Sequence, residues 1–599
     1  MKRLVPFLFW LHSLSLTHGQ ADRPPELSTV VFRNVAVVDV VNGRIEPGQA
    51  VVVREGHILQ TGPDDQAPSP AEGLEVDGCG RYLIPGLWDM HTHWYEQDSL
   101  PLFIANGVTG IRMMVGFPLH HEWRRSISSG ELIGPRLLIA SGVLDGPKPV
   151  WPISIVVGNE EQAREAVRRS RETGADFIKV YSHLPREAYF AIADESGKLG
   201  LPFVGHVPDL VLAQEAAEAG QKSIEHLTGV RLACSNQREE LLTAWQEAFQ
   251  AAREAGDNKP WVKAAERIES RLEETQDSMV AAKLFALFKE NGTWQCPTLI
   301  VGRNIGHLND PELIRDPRLE YISTGMRQSW DPKNDFRFRD VTDEQFAERR
   351  QRVEQDLNLV RSMHQAGVPL LAGTDTGNPY CFPGFSLHDE LGLLVQAGLT
   401  PAEALRTATI NPARFMGRTE SMGSIAEGLV ADLVLLDANP FEDIGNARKI
   451  RGVMAGGRWF DRQVLDELLD RVKDLAGRDS IGRVLFEIIR SEGLAAAISK
   501  YRELRANEPD QYDFGEGQLN MLGYRLLEAG RTEDAVGIFR LNVEMFPRAW
   551  NAYDSLAEAY LKQGMEEQAK RNYRRSLELN PGNEGAARAL ELLEAGPPP

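Results

Sequence analysis

His91 and His93 close the stretch Leu83-Ile84-Pro85-Gly86-Leu87-Trp88-Asp89-Met90-His91-Thr92-His93, which begins apolar and ends in two imidazoles one residue apart. On a β-strand the side chains at i and i+2 point to one face, so the two rings converge as ligands of one metal ion must. An HxH pair alone is a weak motif. Its weight comes from where the other donor residues fall: Lys179 lies within a short apolar run, and His206, His226 and Asp375 each end one. Four histidines and a carboxylate, all at the C-terminal ends of such apolar runs, suit a divalent cation. Tyr181 and His183, with the pair His120-His121, lie near strand ends and are candidates for the pocket wall. Arg112 either meets a substrate carboxylate or pairs inside the fold. His388 either lines the pocket or packs against Asp389 at the start of a helix.

The elements that position these residues form an α/β pattern. With the HxH strand, eight short apolar segments alternate with amphipathic stretches; the other seven are 109–114, 136–140, 176–181, 202–206, 223–226, 293–298 and 370–375. Strands alternating with helices imply parallel pairing, and eight of them imply a (β/α)8 TIM barrel, whose active site lies at the C-terminal strand ends. The barrel is expected over 83–419. Charged helical insertions at 237–291 and 310–365 interrupt it, and no chemistry is assigned to them. Thr400-Pro401-Ala402-Glu403 marks a helix start. β-branched runs with turn signals at 22–82 and again at 420–465 are expected to join as one composite β-sandwich.

From 480 to 595 the chain is helical only. Leu522/Leu556, Gly523/Ala557, Gly530/Gly564, Ala535/Ala569, Phe539/Tyr573 and Pro547/Pro581 recur at a spacing of 34, and Ala497, Tyr501 and Pro509 keep part of it. That period and those residue types match the tetratricopeptide pattern, a solenoid with a concave face for a protein or peptide partner.

At 599 residues the chain is too long for one core. A net charge of −20 argues against nucleic acid as a partner. Lys2 and Arg3, the apolar run at 4–16 and small or polar residues near Gly19 and Ala21 have the layout of a cleavable signal peptide, 1–21. The mature protein is then exported, periplasmic or secreted, with no membrane anchor after cleavage. Cys79, Cys234, Cys296 and Cys381 are too scattered for a CxxC knuckle and read as buried small hydrophobes.

Pro85–His93, Gly205-His206, Ile224-Glu225-His226, Gly373-Thr374-Asp375, Leu399–Leu405, Asn411-Pro412-Ala413 and Gly428–Leu433 resemble the amidohydrolase superfamily, in particular its imidazolonepropionase-like and exported dipeptidase branch. The resemblance spans about 30–461 and leaves the helical tail outside. It implies that His91, His93 and Asp375 hold one ion, that His206 and His226 hold a second, and that a carboxylated Lys179 bridges them. A free lysine, with a reference pKa near ~10.4, would repel a cation; as a carbamate it becomes an anionic donor. Zinc is the default for imidazole-rich sites, and manganese or iron tolerates the same ligands. The implied reaction is hydrolysis of an amide, peptide or cyclic amide by activated water, with Asp375 as base and His226 or its neighbours holding the carbonyl. Leu227-Thr228 and Tyr181-Ser182-His183 stand where the branch commonly carries glycine, which reshapes the pocket. The competing readings are a mononuclear cyclic amidohydrolase or deaminase and a non-catalytic interaction protein built on the tail.

Overall fold

The computed structural model describes residues 29–68, 73–255, 268, 271–335, 337–581 and 583–595. The expected signal peptide lies outside them. The chain opens with β1 (Thr29–Asp39), β2 (Arg44–Arg54), β3 (His57–Pro63), β4 (Leu74–Asp77) and β5 (Tyr82–Pro85). Three later strands, β14 (Leu433–Leu436), β15 (Ile450–Ala455) and β16 (Arg458–Asp461), complete the same sheet in the order β16-β15-β14-β5-β1-β2-β3, with β4 beside β1. The two ends meet where β5 pairs antiparallel with β14, Ile84 opposite Val434.

Gly86 is the junction from this sheet into the barrel. Its amide donates to Asp432 O at 2.7 Å, and a Cβ there would lie 2.1 Å from Thr109 Oγ1. Only glycine lets the chain pass that close. The strand that follows, β6 (Leu87–Thr92), is buried at every residue.

The barrel continues through β7 (Val108–Met113), β8 (Arg136–Asp145), β10 (Phe177–Val180), β11 (Phe203–Gly205), β12 (Ser223–Glu225) and β13 (Trp294–Cys296), all parallel, with the short β9 (Ile155–Val156) on β8. The eighth segment, 370–376, departs from the expected regular strand. It still bonds both neighbours: Leu371 N to Gln295 O, Met90 N to Ala372 O and Asp375 N to His91 O, at 2.8–2.9 Å. Ala372 N instead turns to Thr407 O, and Asp375 takes φ +57°, which breaks the ladder. The result is a nearly closed parallel barrel with helices outside, among them Glu160–Glu172, Arg186–Leu199 and Phe385–Gln396. The helix Pro401–Thr407 begins at the expected cap, where Thr400 N donates to Glu403 at 2.8 Å and Glu403 N donates back to the Thr400 hydroxyl at 3.3 Å. Cys79 is exposed, unlike the other three cysteines and against the sequence reading, because it sits in the turn after β4.

After the helix Arg462–Gly477, seven helices run from Ile481–Ser491 to Glu584–Ala595. They share a core of their own that includes Tyr501, Leu522, Phe539, Leu556 and Tyr573. The recurring residues occupy equivalent places: Ala535 and Ala569 are both fully buried, and Gly530 and Gly564 both turn at positive φ. This tail lies against the helix Pro118–Ser128 after β7, with Arg125 over the Trp550 ring at 5.7 Å. Burial and the charges of Asp554, Glu516 and Glu558 push the Glu122 carboxyl up to about 8; burial and Glu558 push Asp554 up to about 7.

Because the barrel and the tail have separate cores, a chain ending after Gly477 is expected to keep a cooperative thermal unfolding transition while losing the tail's helical circular dichroism. In the full chain the assembled carboxyls bind protons that the separated parts would release. The contact is therefore strongest in acid and weakens as pH rises from the usual carboxylate range through 7 to 8. Limited proteolysis near residues 477–480 at pH 5 and pH 8 checks this; faster cleavage at pH 5 would contradict it.

Candidate metal centre at the barrel mouth

The strand ends bring the donors together. His91 Nε2 and His93 Nε2 lie 3.3 Å apart, and Asp375 Oδ1 lies 3.4 and 3.3 Å from them. Three ligands on tetrahedral bonds of about 2.1 Å would stand about 3.4 Å apart, so this triad fits one ion. His226 Nε2 is 3.9 Å from the other oxygen of Asp375, and the His226 ring centre is 5.0 Å from that of His206. Three buried atoms in this group have no hydrogen-bond partner: Lys179 Nζ, His206 Nε2 and Asp375 Oδ1. Buried polar atoms are seldom left unpaired, so their convergence fits a cation centre. Glu225 and Cys296 also approach His91, but Arg112 engages both Glu225 oxygens and burial holds the Cys296 thiol far above its usual value.

The far nitrogen of each inner histidine is fixed by a partner. His91 Nδ1 meets Glu225 Oε2 at 2.8 Å, His206 Nδ1 meets Ser182 Oγ at 2.8 Å, and His226 Nδ1 meets Thr298 Oγ1 at 2.6 Å. Such partners set the tautomer and aim the near nitrogen at a metal. Burial, helped by the Lys179 charge, holds His91, His206 and His226 well below the usual imidazole range and pushes His93 down to about 3. Neutral rings are what a metal ion needs. Burial also pushes Lys179 down to about 8 and Asp375 up to about 6, the latter tempered by Lys179 and Arg337.

Backbone shape contributes as well. His226, Leu227, Thr298 and Asp375 have φ of +58°, +56°, +48° and +57°. Non-glycine residues avoid this region, at a cost of about 1–3 kcal/mol each, and persist there only when neighbours hold them. His226 N bonds Cys296 O, and Asp375 N bonds His91 O. Leu227 occupies a glycine-like conformation that the adjacent Thr228 secures, its hydroxyl accepting from Val207 N and donating to Glu225 O at 3.0 Å.

Of the pocket candidates, Tyr181 lines the site: its ring stacks on His206 at 3.9 Å and its hydroxyl accepts from Trp151 Nε1 at 2.9 Å. His183 stands at the rim, its Nδ1 on Lys148 O and its Nε2 3.8 Å from Asp209. Two candidates are corrected. Arg112 is sealed inside the barrel, donating to Glu225, Ser223 and Met90 O, and reaches no substrate. His388 is buried in the helix Phe385–Gln396 with Nε2 on Asn106 O, while Asp389 pairs with Arg318 and Arg448 instead. His120 is likewise buried, on Trp94 O.

Three residues of the site were not singled out from sequence. Glu225 shares a strand face with Ser223, and a carboxylate at that alternation inside a barrel needs a cation, so the signal was present. Asp89 accepts from His91 N at 3.2 Å and from Thr374 N at 3.0 Å, tying β6 to the eighth segment. Arg337, from the insertion after β13, stands over the Trp151 ring at 5.0 Å and donates to Asn378 at 2.8 Å; nothing local in sequence marks it.

A parallel barrel with metal-type donors at its C-terminal strand ends defines a class of metal-dependent hydrolases. Residues 82–460 match the amidohydrolase family, and the chain belongs to it: it is a hydrolase acting on carbon–nitrogen bonds. The ochratoxinase of Aspergillus niger is 22% identical over 447 residues, covering 63% of this chain and 75% of its own. Among solved structures, a bottromycin amidohydrolase is similar at 25% identity and a TM-score of 0.56, covering 76% of this chain and 91% of that one. A Xaa-Pro dipeptidase with bound methionine shares the fold at 19% identity and a TM-score of 0.52, covering 72% and 100%.

Glu225→Gln should keep the fold, since Arg112 retains one carbonyl acceptor, but weaken metal retention by about 10–100-fold through loss of the His91 anchor. Metal analysis after graded chelator dialysis measures it; wild-type retention would remove Glu225 from the support of the site.

Proposed function

We propose that this protein is an exported, binuclear metal-dependent amidohydrolase that hydrolyses the amide bond of a small amide or peptide substrate. The convergence of six donors, His91, His93, Lys179, His206, His226 and Asp375, carries the reading. The family match and the likeness to a bottromycin amidohydrolase support the bond class. His91, His93 and Asp375 would hold one divalent ion, zinc by default; His206 and His226 would hold the other. Lys179, buried and lowered to about 8, presents some free amine near neutral pH that could add carbon dioxide and release a proton, and the resulting carbamate would offer anionic oxygens to both ions. When bound, the ions supply Lewis acidity at the scissile carbonyl and make water nucleophilic at neutral pH.

The remaining work falls to residues of this chain. Asp375, raised by burial, takes a proton from the attacking water and returns it to the leaving nitrogen. Tyr181, held by Trp151, packs against His206 and shields the mouth from bulk solvent. The 34-residue period motivates a tetratricopeptide assignment for the tail, which would dock a peptide or protein partner. Export rests on the signal layout at 1–21.

Metal analysis of the purified protein should give about two ions per chain and Lys179→Ala one or fewer, since the bridge holds both. Asp375→Asn should lower turnover of the best amide in a dipeptide and cyclic-amide panel by at least ~1000-fold with the fold intact, because an amide cannot accept the proton. One ion in the wild type would favour the mononuclear cyclic amidohydrolase or deaminase. No metal together with no turnover would favour a non-catalytic interaction protein.

A further inference from the structure

Beside the donor set stands a cation to which the hydrolytic chemistry assigns no role, Arg337. Arg337 comes from the loop between the helices Thr324–Trp330 and Asp343–Gln365. Asp335 takes its Nε at 3.0 Å and one terminal nitrogen at 2.6 Å, while the other terminal nitrogen donates to Asn378 Oδ1 at 2.8 Å. Asp335 thus takes the side-on pair, and of five guanidinium N–H groups these bonds use three, leaving one on each terminal nitrogen for a further acceptor. The group lies over the Trp151 ring at 5.0 Å and the Phe338 ring at 4.7 Å, and its side chain is 24% exposed.

Its position ties it to the donor set from two sides. Asn378 donates from its backbone and its side chain to Asp375 O, at 3.2 and 3.1 Å. Trp151 holds the Tyr181 hydroxyl, and Tyr181 stacks on His206. Arg337 is thus close enough for its charge to bear on Asp375, His93 and Tyr181. An arginine serving only to clasp its own loop would need Asp335 alone. This one also bonds Asn378, stays partly open and has two aromatic rings beside it.

Taking the amide-hydrolase reading as its basis, we propose that Arg337 anchors a free carboxylate of the substrate, so that the enzyme acts on amides carrying a carboxylate beside the scissile bond, the class of N-acyl amino acids and dipeptides. The Trp151 and Tyr181 rings beside it suit an apolar side chain on the same residue. A charge-assisted contact to the terminal nitrogens makes the free acid a better substrate than its neutral amide cap, while the scissile bond is the same for both.

The test uses the metal-loaded full chain and a panel of N-acyl amino acids and dipeptides, each as free acid and as C-terminal amide. Wild type should favour the acids by about 10–100-fold in kcat/KM, mostly through KM. Arg337→Ala should abolish that preference, read as the acid-to-amide ratio of kcat/KM so that any loss common to both substrates cancels, and Arg337→Lys should fall between, with metal content retained in both. Equal losses on acids and amides, or a wild type indifferent to the cap, would overturn the anchor and leave the amide-hydrolase reading intact. Should nothing in the panel turn over, calorimetric binding of N-acetylphenylalanine against its amide decides separately. Arg337-dependent preference for the acid supports the anchor, and equal binding of acid and amide overturns it.

Discussion

The carboxylate of Glu225 lies at the bottom of the site with no exposure to water, where an unpaired charge would be strongly destabilising. Three strands answer for it. Arg112 on β7 donates to both oxygens at 2.9 Å, Ser223 on its own strand donates a short hydrogen bond, and His91 on β6 meets it at 2.8 Å. The ring of His91 therefore has one orientation, with Nε2 facing His93 and Asp375. Arg112 satisfies Glu225 without leaving the barrel, which is why it is unavailable to a substrate. The charge balance of the lumen and the aim of the first ligand are one arrangement.

Other buried carboxylates do similar work around it. Asp89 joins β6 to the eighth segment through Thr374, and burial pushes its carboxyl up to about 7. Glu390 receives Leu299 N and Ile300 N at 3.1 and 2.8 Å and so caps the helix Leu299–Gly306 that begins just past Thr298. Thr298, held in the left-handed region, in turn fixes His226. The strained positions thus sit where carboxylates and backbone bonds over-determine the chain, and the ligands inherit that rigidity. Such preorganisation keeps a donor set in place before any ion arrives.

Much of this was legible in the sequence because it follows short periods. His91 and His93 share a face by the two-residue alternation of a strand, and the ligands at the ends of β10 to β12 follow from the parallel barrel. The eighth segment was readable as a ligand carrier but not as an irregular one, since its departure depends on the close approach of Gly373 to His91 and Cys296. His388 misled because a histidine after a strand end looks like a pocket residue until the helix direction is known; its partner is a carbonyl 282 residues away. Arg337 was illegible for a different reason. It comes from an insertion of charged residues, most of which are solvated, and only the tertiary path of the loop sets this one over Trp151.

That difference follows how each part of the site is built. The metal donors ride on strands whose register is fixed by the barrel, so their spacing is written locally. The residues that would choose a substrate ride on loops, where sequence separation carries no geometric meaning. Trp151 is near the end of β8, Tyr181 just beyond β10, Arg337 after β13 and Asn378 beyond the eighth segment, yet they form one continuous wall through side-chain hydrogen bonds and ring contacts. Changing that wall leaves the strand register untouched. The barrel can therefore keep the bond-breaking chemistry constant while the loops alter what is presented to it.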